Sequence, residues 1–395
     1  MVSKPQPVGT PGRSTAPSGV HRLLGHADRF WQRVSEGMAL SDLWKQFRAD
    51  ARSGYRLYSA EIDSSDIHGR PRGRDILNMM RQFFWAVMEK LSPARRVPLL
   101  VALVMVFLPS GAVYWSTDSG RASVQVDLHF WGGLLMFALL ILEIGDRVVM
   151  KRDLQIAKEI QTWLLPSQPP PIPGLEVAFS TRPANTVAGD YYDVFARPCS
   201  NGAGDLFLMS VADVAGKSVP AAMLMATFQA SLKTLCNTHV SLTELVTQMN
   251  RYACSNSQNG RRFTTAFIAE YTPASRTLSY VNAGHNNPIL RRNTGAIERL
   301  DTGGIPLGIL EGAAYQSATV TLGAGDWLVV FTDGVVEAEN NAQQEYGEPR
   351  LMVMLHSGVA LSPAMLLQSI MSDLDRFTGD APQHDDITCM LLKAV

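Results

Sequence analysis

Residues 175–395 predict an α+β fold of antiparallel sheets with helices packed outside them, and three observations carry the prediction. EVAFSTRP, LFLMSVAD, FTTAFIAEY, LSYVNAG, PILRRN, WLVVFTD and ITCMLLKA have strand length and are rich in β-branched and aromatic residues. Stretches 219–237, 241–257 and 362–377 have helical spacing but do not alternate strictly with the strands, which disfavours a doubly wound parallel sheet. Carboxylates stand where apolar runs stop, and packing alone does not explain an acid there. Neither G-x-x-x-x-G-K-[ST] nor G-x-G-x-x-G occurs, so nucleotide binding has no support.

The elements follow in chain order. The 395 residues carry a net charge of −1, distributed unevenly: residues 1–96 hold 16 Lys and Arg against 9 acids, and residues 97–395 hold 19 against 27. Residues 1–20, rich in Pro, Gly, Ser and Thr, read as a disordered leader without the apolar run of a signal peptide. Residues 21–96 read as a cytoplasmic helical region of unknown role. HADRFWQRVSEGMALSDLWKQF and RDILNMMRQFFWAVMEKL carry aromatics at helical spacing, as core or, for 74–96, as a membrane-surface face. The basic surplus would suit nucleic acid, but the next segment points to a membrane, and no nucleic-acid partner is expected.

Residues 97–115 carry no charge, close to the ~20 residues a spanning helix needs, and 128–145 is a shorter second run. Basic LSPARR before the first run and DRVVMKR after the second put both ends in the cytoplasm, which predicts a transmembrane hairpin over 97–145. Residues 146–165 read as a charged linker helix with Met150, Leu154, Ala157 and Leu164 in 3/4 spacing, interrupted by Gln161. SQPPPIPG makes 166–174 an extended spacer, and a catalytic domain spans 175–395.

Within that domain LFLMSVA ends in Asp213 and then gives way to a helix with Pro220 in its first turn. Asp333 follows Trp327 to Thr332, Asp190 and Asp193 lie in AGDYYDVF, and Asp385 and Asp386 precede the last strand. Acids that converge must share protons or hold metal, and several carboxylates favour a hard divalent ion, magnesium or manganese. Zinc and iron clusters do not fit, since Cys199, Cys236, Cys254 and Cys389 are scattered without C-x-x-C spacing.

AKEIQTWLLP, RPANTVAGDYYD, DVAGKSVPAAMLMA, FTTAFIAEY, NAGHNNPIL, GGIPLGIL, GDWLVVFTDGVVEAEN, YGEPRL and HDDITCMLL occur in that order. Together they resemble the SpoIIE/RsbU-type branch of the metal-dependent protein phosphatases (PPM, protein phosphatase 2C-like). The resemblance runs from about Ile156 to the C-terminus. It implies an αββα sandwich with two divalent cations, manganese or magnesium, at one end.

It also implies roles. Asp213 bridges the metals and Val214 adds a backbone carbonyl; Asp333 and one of Asp385 and Asp386 complete one shell, with alignment favouring Asp385. Asp190 serves the other metal directly or through water, so Asp190, Asp213, Asp333 and Asp385 form the catalytic set. Asn185 stands where eukaryotic relatives carry a phosphate-binding Arg, and Arg182 lies farther back; both are candidates for substrate binding. Asp193, Asp205, Asp326 and Glu337 read as structural, and His285 as a turn histidine held by its own loop. Ala188 and Ser218 replace glycines of the family pattern, a departure that matters where φ is positive.

The function implied is that of a membrane-anchored serine/threonine phosphatase acting on a phosphorylated anti-anti-sigma-like protein. Expected with it are a homodimer through the linker helix and placement at the inner membrane, catalytic domain in the cytoplasm. The alternative is a pseudophosphatase-like module that sequesters its partner without turnover, but every expected metal acid is present.

Overall fold

The structure, a computed structural model, describes residues 91–108, 112–117, 120–125, 127–197, 206–238, 240–257 and 261–395, with a few positions between 81 and 89. The readings of 1–80 and of Asp205 lie outside the described residues, as does Cys199. Two compact units divide the chain, Met1–Ile144 and Gly145–Val395.

In the first unit, α1 (Pro93–Phe107) is followed by strands β1 (Ala112–Thr117) and β2 (Gly120–Gln125), paired antiparallel, and by the start of α2 (Leu128–Leu164). Ala102 of α1 is fully buried, and a Cβ at Gly132 of α2 would lie 3.1 Å from its carbonyl oxygen. Arg95 and Glu143 close the pair with a 3.0 Å ion pair. The transmembrane hairpin needs correction. Among the described residues no helix is long and apolar enough to cross a membrane. The first run stops as helix at Phe107, and its residues 112–115 lie in a strand. Fifteen helical residues reach about 22 Å, short of a ~30 Å hydrocarbon core. The second run meets Glu143 after a similar length.

α2 runs through Ile144 without a break, so the linker is its second half and not a separate element. Beyond it come β3 (Leu175–Arg182), β4 (Tyr191–Arg197), β5 (Leu206–Val214), α3 (Ser218–Leu235) and α4 (Leu242–Ser255). Strands β6 (Thr264–Thr272), β7 (Thr277–Ala283), β8 (Ile289–Arg291), β9 (Ile297–Arg299), β10 (Gly303–Gly304), β11 (Ala318–Thr321) and β12 (Trp327–Phe331) follow. The chain ends with α5 (Asp333–Val336), α6 (Glu348–Ser357), α7 (Pro363–Thr378) and β13 (Ile387–Ala394).

One sheet runs β10-β7-β6-β5-β4 with β11 added on β7, and the other runs β3-β13-β12-β8-β9. Every pairing is antiparallel except the two-residue β10–β7 contact. Period-two alternation builds the layers. Phe207, Met209 and Val211 of β5 pack between the sheets against residues such as Leu328, Val330 and Met390. Leu208 and Ala212, on the other face of β5, pack against Met225 and Leu232 of α3 and Leu245 of α4. Val329 and Leu391 face Leu351 of α6 and Ile370 of α7. Helix, sheet, sheet, helix is the order, so the central strands are buried on both faces and read as continuous apolar runs.

The register sets the site. Tyr191 pairs with Ala212, and Phe331 with Cys389, so the start of β4, the end of β5, the end of β12 and the start of β13 carry their acids to paired strand ends. Asp213 shares the parity of Met209 and Val211 and therefore points between the sheets.

Candidate metal centre

The acids meet at that end. Asp190 is 1% exposed, and its carboxylate accepts a 3.0 Å hydrogen bond from Thr332 Oγ1. Burial first, then Asp213, drives its pKa well above the carboxylate range. Asp213 is pushed up to about 7 by burial and by Asp333, Asp385 and Asp386. Buried like charges this near one another resist full ionisation unless a cation sits among them. Asp333 opens α5, and its pKa is raised by burial and by Asp385.

Asp385 and Asp386 divide the work. Asp386 accepts backbone N–H bonds from Ala184 at 2.7 Å and Gly189 at 2.5 Å, tying down the loop before Asp190. Asp385 is more exposed, and its Oδ2 is 3.1 Å from Lys217 Nζ. Among the described residues no three His, Cys, Asp or Glu side chains are gathered closely enough to cage an ion as they stand. As they stand, Asp190 is bonded to Thr332, Asp386 to the 184–189 backbone and Asp385 to Lys217. The donor set fits a divalent cation nonetheless. It is all oxygen, and burial together with its like charges raises the pKa values of Asp190 and Asp213, a repulsion that a bound cation relieves.

Backbone close approaches fix the frame. A Cβ at Gly189 would stand 3.2 Å from the Val214 carbonyl oxygen, the atom singled out as a donor. At Gly334 it would meet the Asp386 carbonyl at 2.0 Å, so no side chain fits after Asp333. In DVAGKS, Ser218 has φ of 64°, a left-handed value in a residue with a Cβ, whereas Ala188 is not in that region.

Other predicted residues fall elsewhere. Arg182, at the end of β3, forms an ion pair with Asp375 of α7 and lines an open cavity of about 400 Å³ beside Asp385. Asn185 is exposed and is not among the residues lining that cavity. Asp193 accepts from Tyr191 Oη at 3.0 Å and pairs with Lys233, and Asp326 pairs with Arg292; both are structural. Glu337 departs from its structural reading. The single turn of α5 carries it into the cavity wall, and its pKa is raised by burial and by Asp333. His285 is held by its loop through Asn282 Oδ1, but its Nδ1 also lies 3.1 Å from Thr265 Oγ1, and Thr265 is the register partner of Asp213. Burial lowers the His285 pKa to about 4, so the ring is neutral.

Sequence reasoning missed the supports. Thr332 and Thr388 hold Asp190, and only their adjacency to TDG and DDIT hinted at it. Gln161 is 6% exposed; its Nε2 donates to the Ala188 carbonyl at 2.6 Å, and its Oε1 accepts from the Ala188 N–H at 2.9 Å. The polar break in the linker stripe is therefore where α2 clasps the loop that carries Asp190.

Residues 203–395 match the family model "Stage II sporulation protein E (SpoIIE)". Phosphoserine phosphatase RsbU of Bacillus subtilis is 27% identical over 252 residues, covering 63% of this chain and 72% of RsbU. Protein IcfG of Synechocystis is 25% identical over 277 residues, 63% of this chain but 42% of IcfG, so the chain spans less than half of that relative. The SiaA-PP2C domain of Pseudomonas aeruginosa superposes with a TM-score of 0.54 at 18% identity, covering 63% of this chain and 99% of that one, a likeness of fold.

Proposed function

The carboxy-terminal domain belongs to the SpoIIE/RsbU-type metal-dependent protein phosphatases, and from that premise we propose that the chain hydrolyses phosphoserine or phosphothreonine on a regulatory protein, of the anti-anti-sigma kind. The observation that carries this is the convergence of Asp190, Asp213, Asp333 and Asp385 at paired strand ends, with a cavity of about 400 Å³ beside Asp385. Asp190, Asp213, Asp333, Asp385 and the Val214 carbonyl are the groups that would hold two divalent ions. When bound, such ions neutralise a phosphate dianion and lower the pKa of water.

The chain's own residues do the rest. Thr332 and Thr388 fix the Asp190 carboxylate, Asp386 pins the 184–189 loop by two N–H bonds, and the missing side chain at Gly334 lets the strand ends close up. The open cavity beside Asp385 admits a phosphorylated side chain from a protein surface. Manganese-dependent release of phosphate from a phosphoserine peptide by the full chain, abolished by chelation, is the expected result. Metal-saturated protein that binds the peptide without releasing phosphate would favour sequestration instead.

Two further parts of the reading concern assembly. Val149, Ile156, Ile160 and Trp163 are exposed at spacings that share one face of α2, separate from the Leu154–Ala157–Gln161–Leu164 face, and this supports a homodimer through that helix. Membrane attachment at the cytoplasmic side is supported by exposed Val97, Val104, Phe107, Phe130, Trp131 and Phe137 on α1 and the start of α2. Full-length chain should sediment with membranes, while 147–395 should not.

A further inference from the structure

The cavity beside the acids is lined by two basic side chains with permanent charge, Arg182 and Lys217. It is otherwise acidic, with Glu337, Glu339, Glu345 and Asp385 in its wall. A phosphomonoester dianion entering it needs a cation within reach of the reacting end, and Asn185 supplies none. Arg182 is committed to Asp375 on α7. Lys217 is differently placed. Its Nζ lies 3.1 Å from Asp385 Oδ2 and donates to the His384 carbonyl, and its charge is felt at Asp333. Its side chain is 53% exposed, so solvent reaches it from the cavity.

The backbone explains the placement. Lys217 is extended, at φ −135° and ψ 160°, between Gly216 at φ 117° and Ser218 at φ 64°. A left-handed non-glycine is strained and persists where the surroundings hold it. Here it lets the chain leave β5, turn past the acids and start α3 with the lysine on the cavity wall. Its side chain makes no capping bond at that helix start and reaches instead to Asp385 and the His384 carbonyl.

We propose that Lys217 is the substrate-phosphate ligand of this site, taking a non-bridging oxygen of the phosphomonoester. The proposal rests on the phosphatase reading above. With Asp385 engaged by a divalent ion, the ammonium group would keep the His384 carbonyl and have donors to spare for an anion in the cavity. Lysine suits the task as a compact point charge with three donors.

The test uses the full chain, stripped and reloaded with manganese, as wild type, Lys217→Met and Lys217→Arg. Binding of inorganic phosphate is followed by calorimetry, manganese affinity by titration, and kcat and KM with a phosphoserine peptide. Loss of one charge-assisted hydrogen bond predicts phosphate binding and KM weakened about tenfold or more in Lys217→Met, manganese affinity within about twofold of wild type, and recovery in Lys217→Arg. Unchanged phosphate affinity in Lys217→Met overturns the proposal. So does a manganese affinity that falls as far as phosphate affinity, since Lys217 would then serve only to hold Asp385. Wild type that binds manganese and phosphate but releases none from the peptide refutes the phosphatase reading, while the calorimetric comparison still decides the lysine.

Discussion

At the scale of single residues, the centre is held by groups that touch no substrate. Asp213 is the carboxylate on which burial and three like charges converge. Asp213→Asn keeps the shape but removes the charge, so turnover should fall by at least ~10³-fold while the melting temperature stays level or rises. Comparable turnover in that variant, still dependent on manganese, would take Asp213 out of the mechanism. Gln161 acts through the backbone. Gln161→Ala leaves the Ala188 N–H and carbonyl buried without partners, a cost of about 1–3 kcal/mol for each group left unpaired. The 188–190 segment should loosen, so manganese affinity should fall about tenfold or more before the fold is lost. A titration curve identical to wild type would reduce Gln161 to a packing residue.

At the scale of elements, α2 joins the two units of the chain, and its second half has two apolar faces with different fates. Leu154, Ala157 and Leu164 are partly covered and flank the Gln161 clasp, whereas Trp163 is 81% exposed. A helix docked through one polar clasp and a few aliphatic contacts is easily shifted between packings, and ~1–3 kcal/mol in that balance changes activity about 5- to 150-fold. Residues 146–395 should therefore differ from 170–395 in specific activity at matched manganese saturation. Leu154→Asp and Leu164→Asp in the longer form should move it toward the shorter. Equal activities and equal oligomeric states in all four proteins would leave α2 a tether.

At the scale of the whole molecule, the clustered acids make stability depend on pH in an unusual direction. Asp190 and Asp213 have raised pKa values, so between the ordinary 3.8 and about 7 the folded, metal-free protein binds more protons than the unfolded chain. Their contribution is fully present below 3.8 and is lost as pH rises through about 7. Melting of chelated protein should therefore move to lower temperature between about pH 5 and pH 8, and manganese should restore it at the upper end by binding only the folded form. Asp213→Asn should flatten the slope. A metal-free melting temperature that climbs over that interval would show that the folded state does not raise the pKa values of these acids.

By itself the sequence determined the strand-end acids, the antiparallel class and the helices over 219–237, 241–257 and 362–377, because these depend on periodicity and on local breaks in it. β4 escaped the strand reading because Asp193 interrupts its apolar pattern, and β9, β10, β11 and α5 are too short for periodicity to show. The 97–115 run was read by its lack of charge alone, which counts residues but does not say where the helix stops; the structure ends it at Phe107 and pairs β1 with β2. Only the tertiary structure could give Asp386 its loop, Glu337 its place in the cavity wall, and Thr332, Gln161 and Lys217 their partners. Those bonds join residues from 27 to 202 positions apart, and a pattern read along the chain carries no term for a contact made across it.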